Sequence, residues 1–157
     1  MPKVYFASDH AGYQMKGMLL AYVRDELGHE VEDCGAFALD KDDDYPDLIR
    51  PCAEKVSADP GSFGIIAGAS GQGEAMAANR VPGARAGVYY GDPGVAQTDA
   101  GGKELSLIAS MRAHNDANIL SLGLRFLSEE AAKDAIRVFL ATPFDGGRHE
   151  RRVRKLG

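Results

Sequence analysis

The stretch GIIAGASGQGEAMAAN, residues 64–79, passes from a short apolar run through closely spaced glycines into an alanine-rich segment. This succession predicts a buried β-strand, a tight loop and the N-terminus of a helix. Such a junction directs several backbone N–H groups and the positive end of a helix dipole at one point. A phosphate or a developing negative charge is stabilised at that point.

The loop differs from a phosphate-binding P-loop at one position. The spacing of Gly68 and Gly73 matches the first half of that motif, but Glu74-Ala75 stands where the motif has Lys followed by Ser or Thr. A carboxylate in place of the cation argues against a triphosphate and favours a base beside an oxyanion hole. A simpler interpretation is that Glu74 only complements the helix dipole. The helix dipole would lower the pKa of Glu74, whereas desolvation in a closed site would raise it.

Apolar runs alternate with helical patterns along the rest of the chain. We predict strands, with helices between them, over residues 4–8, 30–35, 63–67, 84–90 and 118–122. Strands that alternate with helices form a parallel sheet covered by helices on both faces. The chain is therefore predicted to be a single α/β domain over residues 1–157.

Composition excludes several classes of protein. The net charge of −5 argues against a general nucleic-acid surface. Two cysteines, Cys34 and Cys52, make no disulfide or metal framework and are expected to be reduced thiols in a cytoplasmic protein. No apolar run approaches the roughly 20 residues of a membrane span. The first strand is predicted to begin directly after residues 1–3, and we therefore expect no signal peptide.

Three polar clusters are expected at one edge of the sheet, where open α/β sheets bind ligands. They are Ser8-Asp9-His10, Gly68–Glu74 and His114-Asn115. The simplest role of Asp9 is to cap a helix, and His114 could stand at a helix C-terminus. Acid–base work is the alternative for His114, because histidine titrates near neutral pH.

The C-terminal tail, residues 143–157, is strongly basic in an otherwise acidic protein. Its run Arg148-His149-Glu150-Arg151-Arg152 fits a solvated helix face. Arginine forks also match phosphate geometry, so a phosphate clamp is an equal interpretation. Such a tail could reach a second subunit.

Several motifs, in order from one end of the chain to the other, resemble the type B ribose-5-phosphate isomerases, a family that includes galactose-6-phosphate isomerase subunits. The matching pieces are Ser8-Asp9-His10-Ala11-Gly12, Asp44-Tyr45-Pro46, Gly71-Gln72-Gly73, Ala77-Ala78-Asn79-Arg80, Ala84-Arg85-Ala86, His114-Asn115-Asp116-Ala117-Asn118, and Gly147-Arg148-His149 with Arg152. Each motif is weak alone, and together they are specific. The resemblance implies a Rossmann or flavodoxin-like three-layer sandwich with a C-terminal basic helix. It also implies a homodimer or a tetramer of dimers, active sites shared between subunits, and neither a metal nor a cofactor.

The resemblance also implies roles for individual residues. One branch of the family uses a cysteine after the third strand as the base; this chain has Ala67-Gly68 there and resembles the branch in which a glutamate, here Glu74, is the base. Ser70, the backbone of Gly71 to Gly73 and Asn115 would form the anion hole. His114 would open the sugar ring, Asp9 would contact the sugar hydroxyls, and Tyr45 would line the site. The phosphate would be bound by His10, Arg125, Arg148 and Arg152, with His149 nearby.

The implied reaction is aldose–ketose isomerisation of a sugar phosphate, most simply ribose 5-phosphate to ribulose 5-phosphate through an enediolate. Allose 6-phosphate, galactose 6-phosphate or a tetrose phosphate are alternative substrates. An inactive subunit of a two-subunit isomerase, a signalling domain and a nucleotide-binding module of the same fold are alternative functions. The chain departs from the family pattern at residues 94–106, an insertion of about a dozen residues, which bears on sugar specificity and subunit packing.

Overall fold

Five parallel strands form the central sheet of the computed structural model, which describes residues 1–157. The strands of the sheet are β1 (Val4–Ser8), β2 (Val31–Asp33), β3 (Phe63–Gly68), β4 (Ala86–Tyr89) and β7 (Ile119–Gly123). Their order is β2-β1-β3-β7-β4. This is the flavodoxin-like arrangement with its last two strands exchanged. The predicted α/β class with a five-stranded parallel sheet is confirmed.

Helices cover both faces of the sheet. They are α1 (Tyr13–Asp25), α2 (Tyr45–Ala58), α3 (Gln72–Ala78), α4 (Leu107–Asn115), α5 (Glu129–Ala141) and α6 (Arg148–Arg154), with 3-10 turns at His10–Gly12 and Leu124–Phe126. Helices α1, α4 and α5 share one core with one face of the sheet, and α2 and α3 share the other. Alternate strand residues such as Ile65 and Ile66 point into opposite cores.

The sequence pattern and the structure differ at two places in the helices. The periodicity predicts Met18 on the buried face of α1, but its side chain is 43% exposed. Lys16 is buried instead, with Nζ donating to Asp33 Oδ1 at 2.7 Å and to the Ala36 carbonyl at 2.5 Å. The helical pattern predicts a fourth helix from residue 104, but α4 begins at Leu107, because the Ser106 hydroxyl accepts from the amide of residue 109 and caps the helix there.

The segment 94–106, expected to be a loop, contains a β-hairpin. Strands β5 (Gln97–Thr98) and β6 (Glu104–Leu105) pair antiparallel and turn at residues 99–103. The hairpin precedes α4 in the chain and packs against it, and it forms a two-stranded sheet separate from the central one.

His114 and Asn115 lie at the opposite edge of the sheet from the glycine loop, so the prediction of one common edge is wrong for a single chain. Both residues end α4 and precede β7, whereas Gly68 ends β3. Strands β3 and β7 are parallel and in register from Gly64 with Ile119 to Gly68 with Gly123. Residues that precede a parallel strand therefore lie at the edge opposite to those that follow one.

Two further expectations concern the membrane and the cysteines. None of the helices is long and apolar enough to cross a lipid bilayer. Cys34 and Cys52 are both free thiols; Cys52 is buried in the α2 core and Cys34 is half-buried beside that core.

Candidate functional site

The glycine loop between β3 and α3 is held in place by β7. Gly71 is the N-cap of α3 with φ of 76°, a left-handed conformation that favours glycine. The buried Ser121 hydroxyl of β7 donates to the Gly71 carbonyl at 2.7 Å. The amide of Gln72 donates to Ser70 Oγ at 3.3 Å. These bonds leave the first amides of the helix directed out of the loop, as expected for a helix N-terminus.

Glu74 lies in the first turn of α3 and is only 4% exposed. Its carboxylate lies against the Cα atom of Gly68, where any Cβ atom would overlap it. It takes part in no salt bridge. Burial raises the pKa of the Glu74 carboxyl, and the negative charge of nearby Asp9 adds to this effect, while its own amide opposes it. Desolvation therefore outweighs the helix terminus.

Asp9, His10 and Tyr45 surround this loop at the carboxyl edge of the sheet. Asp9 is buried and its Oδ1 accepts from the amide of residue 11 at 3.0 Å, so it caps the 3-10 turn as the simplest interpretation predicts. The Tyr45 ring packs on Gly73, where a Cβ atom would come within 2.6 Å of the ring. Asp9 and Tyr45 thus border the Glu74 carboxylate and its loop.

His10 is paired with Asp43, a residue that the sequence analysis did not single out. His10 Nδ1 lies 2.7 Å from Asp43 Oδ1, and this hydrogen bond raises the pKa of His10. Asp43 Oδ2 and Ser8 Oγ are buried without a hydrogen-bond partner. Buried polar atoms of this kind are usually satisfied by a ligand or by water. Asp43 sits inside an acidic run, where nothing in the sequence separates it from its neighbours.

A second group of polar residues surrounds His114 at the amino edge. Its ring stacks on the ring of His149 with centroids 4.2 Å apart and an angle of 14° between the planes. Burial lowers the pKa of His149, and the adjacent His114 lowers it further. Arg148 and Arg152 from α6 line the same cavity of about 290 Å³ together with Asp99. The predicted basic C-terminal helix thus packs beside His114.

The predicted site residues therefore divide between two places. The carboxyl edge holds Asp9, His10, Tyr45, Ser70, Gly71, Gly73, Glu74 and Arg125. The amino edge holds His114, Asn115, Arg148, His149 and Arg152. The two ends of a five-residue strand are roughly 13 Å apart, and no hydrogen bond joins the two groups. In one chain Asn115 does not contribute to the glycine-loop anion hole, because it precedes β7 instead of following a strand.

Each group contains side chains that could hold a metal ion. His114, Asp145 and His149 place ligand atoms within 4.8 Å of one another, and so do Asp9, His10 and Asp43. His10 and Asp43 already pair with each other. The absence of a metal requirement remains a prediction.

Comparisons with known proteins agree on one family. Residues 4–156 match the family described as Ribose/Galactose Isomerase. Ribose-5-phosphate isomerase B of Mycobacterium tuberculosis is 39% identical over 152 residues, which are 96% of this chain and 85% of that protein. Ribose 5-phosphate isomerase B of Anaplasma phagocytophilum has a TM-score of 0.83 at 36% identity, covering 100% of this chain and 97% of that one. The enzyme of Mycoplasma genitalium, solved with ribulose 5-phosphate bound, has a TM-score of 0.84 at 31% identity, covering 98% and 93%.

Replacing Glu74 by Gln is expected to stabilise the fold near neutral pH. The pKa of the buried carboxyl is raised from 4.5, so the folded chain binds the proton more tightly than the unfolded chain. Stability therefore falls as the pH rises through the interval between the two pKa values, and it stays lowered above that interval. A neutral amide escapes this cost. Thermal unfolding should show a higher midpoint for Glu74→Gln near neutral pH, with the gap closing below about pH 4.5.

The matched control is Glu130→Gln, which removes an exposed first-turn carboxylate from α5. It should leave the midpoint unchanged or lower it slightly, because an exposed Glu only complements the helix dipole. A loss of stability in Glu74→Gln equal to that of the control would contradict the burial argument.

Proposed function

The chain belongs to the ribose/galactose isomerase family, and we propose that it interconverts ribose 5-phosphate and ribulose 5-phosphate with Glu74 as the base. Its reaction class is that of the sugar-phosphate isomerases, and its relatives are ribose-5-phosphate isomerases of type B. The observation that carries the finer proposal is the buried, unpaired Glu74 carboxylate at a loop of helix-opening amides. A carboxylate with raised proton affinity beside N–H donors is the pair that proton transfer next to a carbonyl requires.

The proposed chemical step moves one proton between adjacent carbons. Glu74 takes the proton from C2 of the open-chain aldose, and the electrons of that C–H bond form the C1–C2 double bond of an enediolate. Negative charge then develops on O1, where the Gly71 and Gly73 amides and the Ser70 hydroxyl stabilise it. Glu74 returns the proton to C1 while the O2 proton passes to O1, which gives the C2 carbonyl and the C1 hydroxyl of the ketose. A base contributes about 10²–10⁴ in rate and one oxyanion donor roughly 3–4 kcal/mol.

The position of the cysteines supports the glutamate-base branch of the family. Residues 67–68, after the third strand, are Ala and Gly, so no thiol stands where the other branch has its base. Cys52 is buried in the α2 core, and Cys34 packs against that core beyond β2. Glu74 is the titratable group that lies directly against this position, because its carboxylate touches Gly68.

We infer that a second copy of the chain completes the site, by placing its His114 group over the carboxyl edge of the first. Each group holds a charge without an ion-pair partner in its own chain: the Glu74 carboxylate at the carboxyl edge and the Arg152 guanidinium at the amino edge. The rim of the carboxyl edge also exposes large apolar side chains, as expected of a surface that another chain covers. These are Phe37 at 74%, Met76 at 64% and Phe126 at 65% exposure.

In the completed site the phosphate and the sugar ring would contact both copies. His10 and Arg125 of one copy would meet Arg148 and Arg152 of the other around the phosphate. Such remote binding orients the reacting carbons and contributes to the transition state. Asp9 would hold a sugar hydroxyl, Tyr45 would line the site, and His114 would open the furanose ring. Asn115, which is exposed at the end of α4, could then reach the anion hole from the neighbouring copy.

Glu74→Gln should lower turnover by at least about 10²-fold, because the amide cannot accept the proton. The assay measures isomerisation of ribose, allose and galactose phosphates and of a tetrose phosphate, with a chelator present. Calorimetric binding of ribose 5-phosphate should remain measurable in the variant. Near-parental turnover would remove Glu74 as the base, and preference for another sugar would replace the proposed substrate. Loss of all turnover on chelation would contradict a metal-free site.

Shared sites predict that two inactive variants restore each other. Glu74→Gln and His114→Gln disable opposite edges, so a mixed dimer contains one site with both changes and one site with neither. Coexpression from differently tagged genes should therefore give about one quarter of parental activity in a random mixture. Tandem affinity purification then isolates the mixed dimer. An inactive mixed dimer would show that each chain contains a complete site of its own.

Arg152→Ala should weaken inhibition by inorganic phosphate and raise KM for ribose 5-phosphate, by about tenfold for the loss of one charged hydrogen bond. Arg151→Ala is the matched control: the same charge leaves the same helix, but Arg151 does not line the His114 cavity. Equal effects of the two substitutions would indicate general electrostatic attraction in place of a phosphate clamp.

A further inference from the structure

The hairpin of residues 97–105 places a carboxylate beside His114. Asp99, at its turn, has a side chain that is only 8% exposed and lies 3.3 Å from His114 Nε2 through Oδ2. The same Oδ2 atom lies 3.6 Å from the guanidinium of Arg148. This carboxylate therefore faces both the imidazole assigned to ring opening and an arginine assigned to the phosphate.

The two oxygens of Asp99 have separate roles. Oδ1 accepts the amides of Gly101 at 2.8 Å and Lys103 at 2.9 Å, and so it holds the hairpin turn. Oδ2 is left for His114 and Arg148. The amide of Lys103 is the main cause of the lowered pKa of Asp99, which keeps the carboxylate ionised at neutral pH. Because the turn fixes Oδ1, it also fixes where Oδ2 lies.

A second hairpin residue contacts the other nitrogen of the ring. Gln97 Nε2 lies 3.4 Å from His114 Nδ1, and Gln97 Oε1 accepts the Ser110 hydroxyl at 2.7 Å. The Ser110 bond orients the Gln97 amide with its N–H₂ group toward the ring. An N–H donor at Nδ1 and a carboxylate at Nε2 are both compatible with a single neutral tautomer, in which the proton is on Nε2. Nε2 is buried, and Asp99 Oδ2 lies 3.3 Å from it, within ion-pair range but outside the geometry of a well-formed hydrogen bond.

We infer that Asp99 is a positioning residue for ring opening: it holds His114 in the Nε2–H tautomer and leaves Nδ1 to handle the substrate proton. A carboxylate on one imidazole nitrogen fixes the ring and stabilises the imidazolium that forms when the other nitrogen accepts a proton. In this scheme the anomeric O1–H displaces the long Gln97 contact at Nδ1. Nδ1 then takes the O1 proton as the C1–O4 bond breaks and the C1–O1 double bond forms. The imidazolium then returns that proton to O4. This inference rests on the proposed function of His114.

Asp99→Asn is the sharpest test, because asparagine keeps the turn acceptor at Oδ1 and removes the charge at Oδ2. We expect turnover of ribose 5-phosphate to fall by about 10- to 100-fold. Erythrose 4-phosphate cannot close a furanose ring through its phosphorylated oxygen, so its isomerisation should stay within about twofold of the parent. Glu104→Gln removes an exposed carboxylate from the same hairpin and should leave both rates unchanged.

A nitrogen-15 NMR measurement of the imidazoles tests the tautomer without any turnover. The chain has four histidines, and the His114 signals are identified by their loss in His114→Gln. In mildly alkaline buffer the parent should show His114 with the proton on Nε2, and Asp99→Asn should shift the population toward Nδ1–H. Parental His114 as the Nδ1–H tautomer, or a tautomer that Asp99→Asn leaves unchanged, would overturn the inference.

The two readouts separate failure of this inference from failure of the proposed function. If the parent isomerises no sugar phosphate, the proposed function fails and the NMR result alone decides whether Asp99 fixes the tautomer. If Asp99→Asn slows ring-forming and acyclic substrates equally, Asp99 supports the fold instead of His114, and the inference is overturned. A selective loss on ribose 5-phosphate together with a tautomer shift supports it.

Discussion

The close approach of the Glu74 carboxylate to the backbone of Gly68 is the constraint on which the carboxyl-edge site depends. A side chain at residue 68 would displace the carboxylate, one at residue 73 would displace Tyr45, and Gly71 needs a left-handed conformation that other residues rarely adopt. The three glycines therefore serve three different purposes. The resulting burial raises the proton affinity of the carboxyl, and this places a base beside the helix-opening amides at a cost in stability.

The parallel sheet that places Glu74 at its carboxyl edge also keeps His114 and the α6 arginines of the same chain away from Glu74. Residues after a parallel strand collect at one edge, and His114, which precedes β7, is directed to the opposite edge. Each edge then carries a charge that has no ion-pair partner in the same chain: the Glu74 carboxylate at one edge and the Arg152 guanidinium at the other. Contact between two copies would bring these groups together, and such complementarity also favours the correct orientation of the two chains.

Much of the fold and half of the site could be predicted because they depend on local patterns. Apolar runs and glycine loops gave the strands and the junction at residues 64–79, and the order of motifs suggested the family. The prediction that His114 lies at the same edge of the sheet as the glycine loop was wrong. A residue that precedes a parallel strand lies at the opposite edge from one that follows a strand, and His114 precedes β7. Asp43 and Asp99 were missed, because each lies in a run rich in acidic residues or glycine. Only tertiary packing distinguishes such a residue from its neighbours. The burial of Lys16 was missed for a related reason. A buried lysine needs acceptors for its ammonium group, and here Asp33 and the Ala36 carbonyl, both distant in sequence, supply them.

The insertion at residues 94–106 shows how a small addition can alter a site without altering the fold. Lengthening a surface loop costs little closure entropy, since that cost grows only with the logarithm of loop length. The hairpin leaves the order of the central sheet intact and packs along α4. A carboxylate in a group containing Arg148 and two stacked histidines reduces their mutual repulsion, so Asp99 is stabilised there by the charges it balances. Because its other oxygen is bonded within the turn, the position of the charge is set by backbone geometry instead of by a flexible side chain. That rigidity is what an imidazole needs from a partner if it is to present one chosen nitrogen to a substrate.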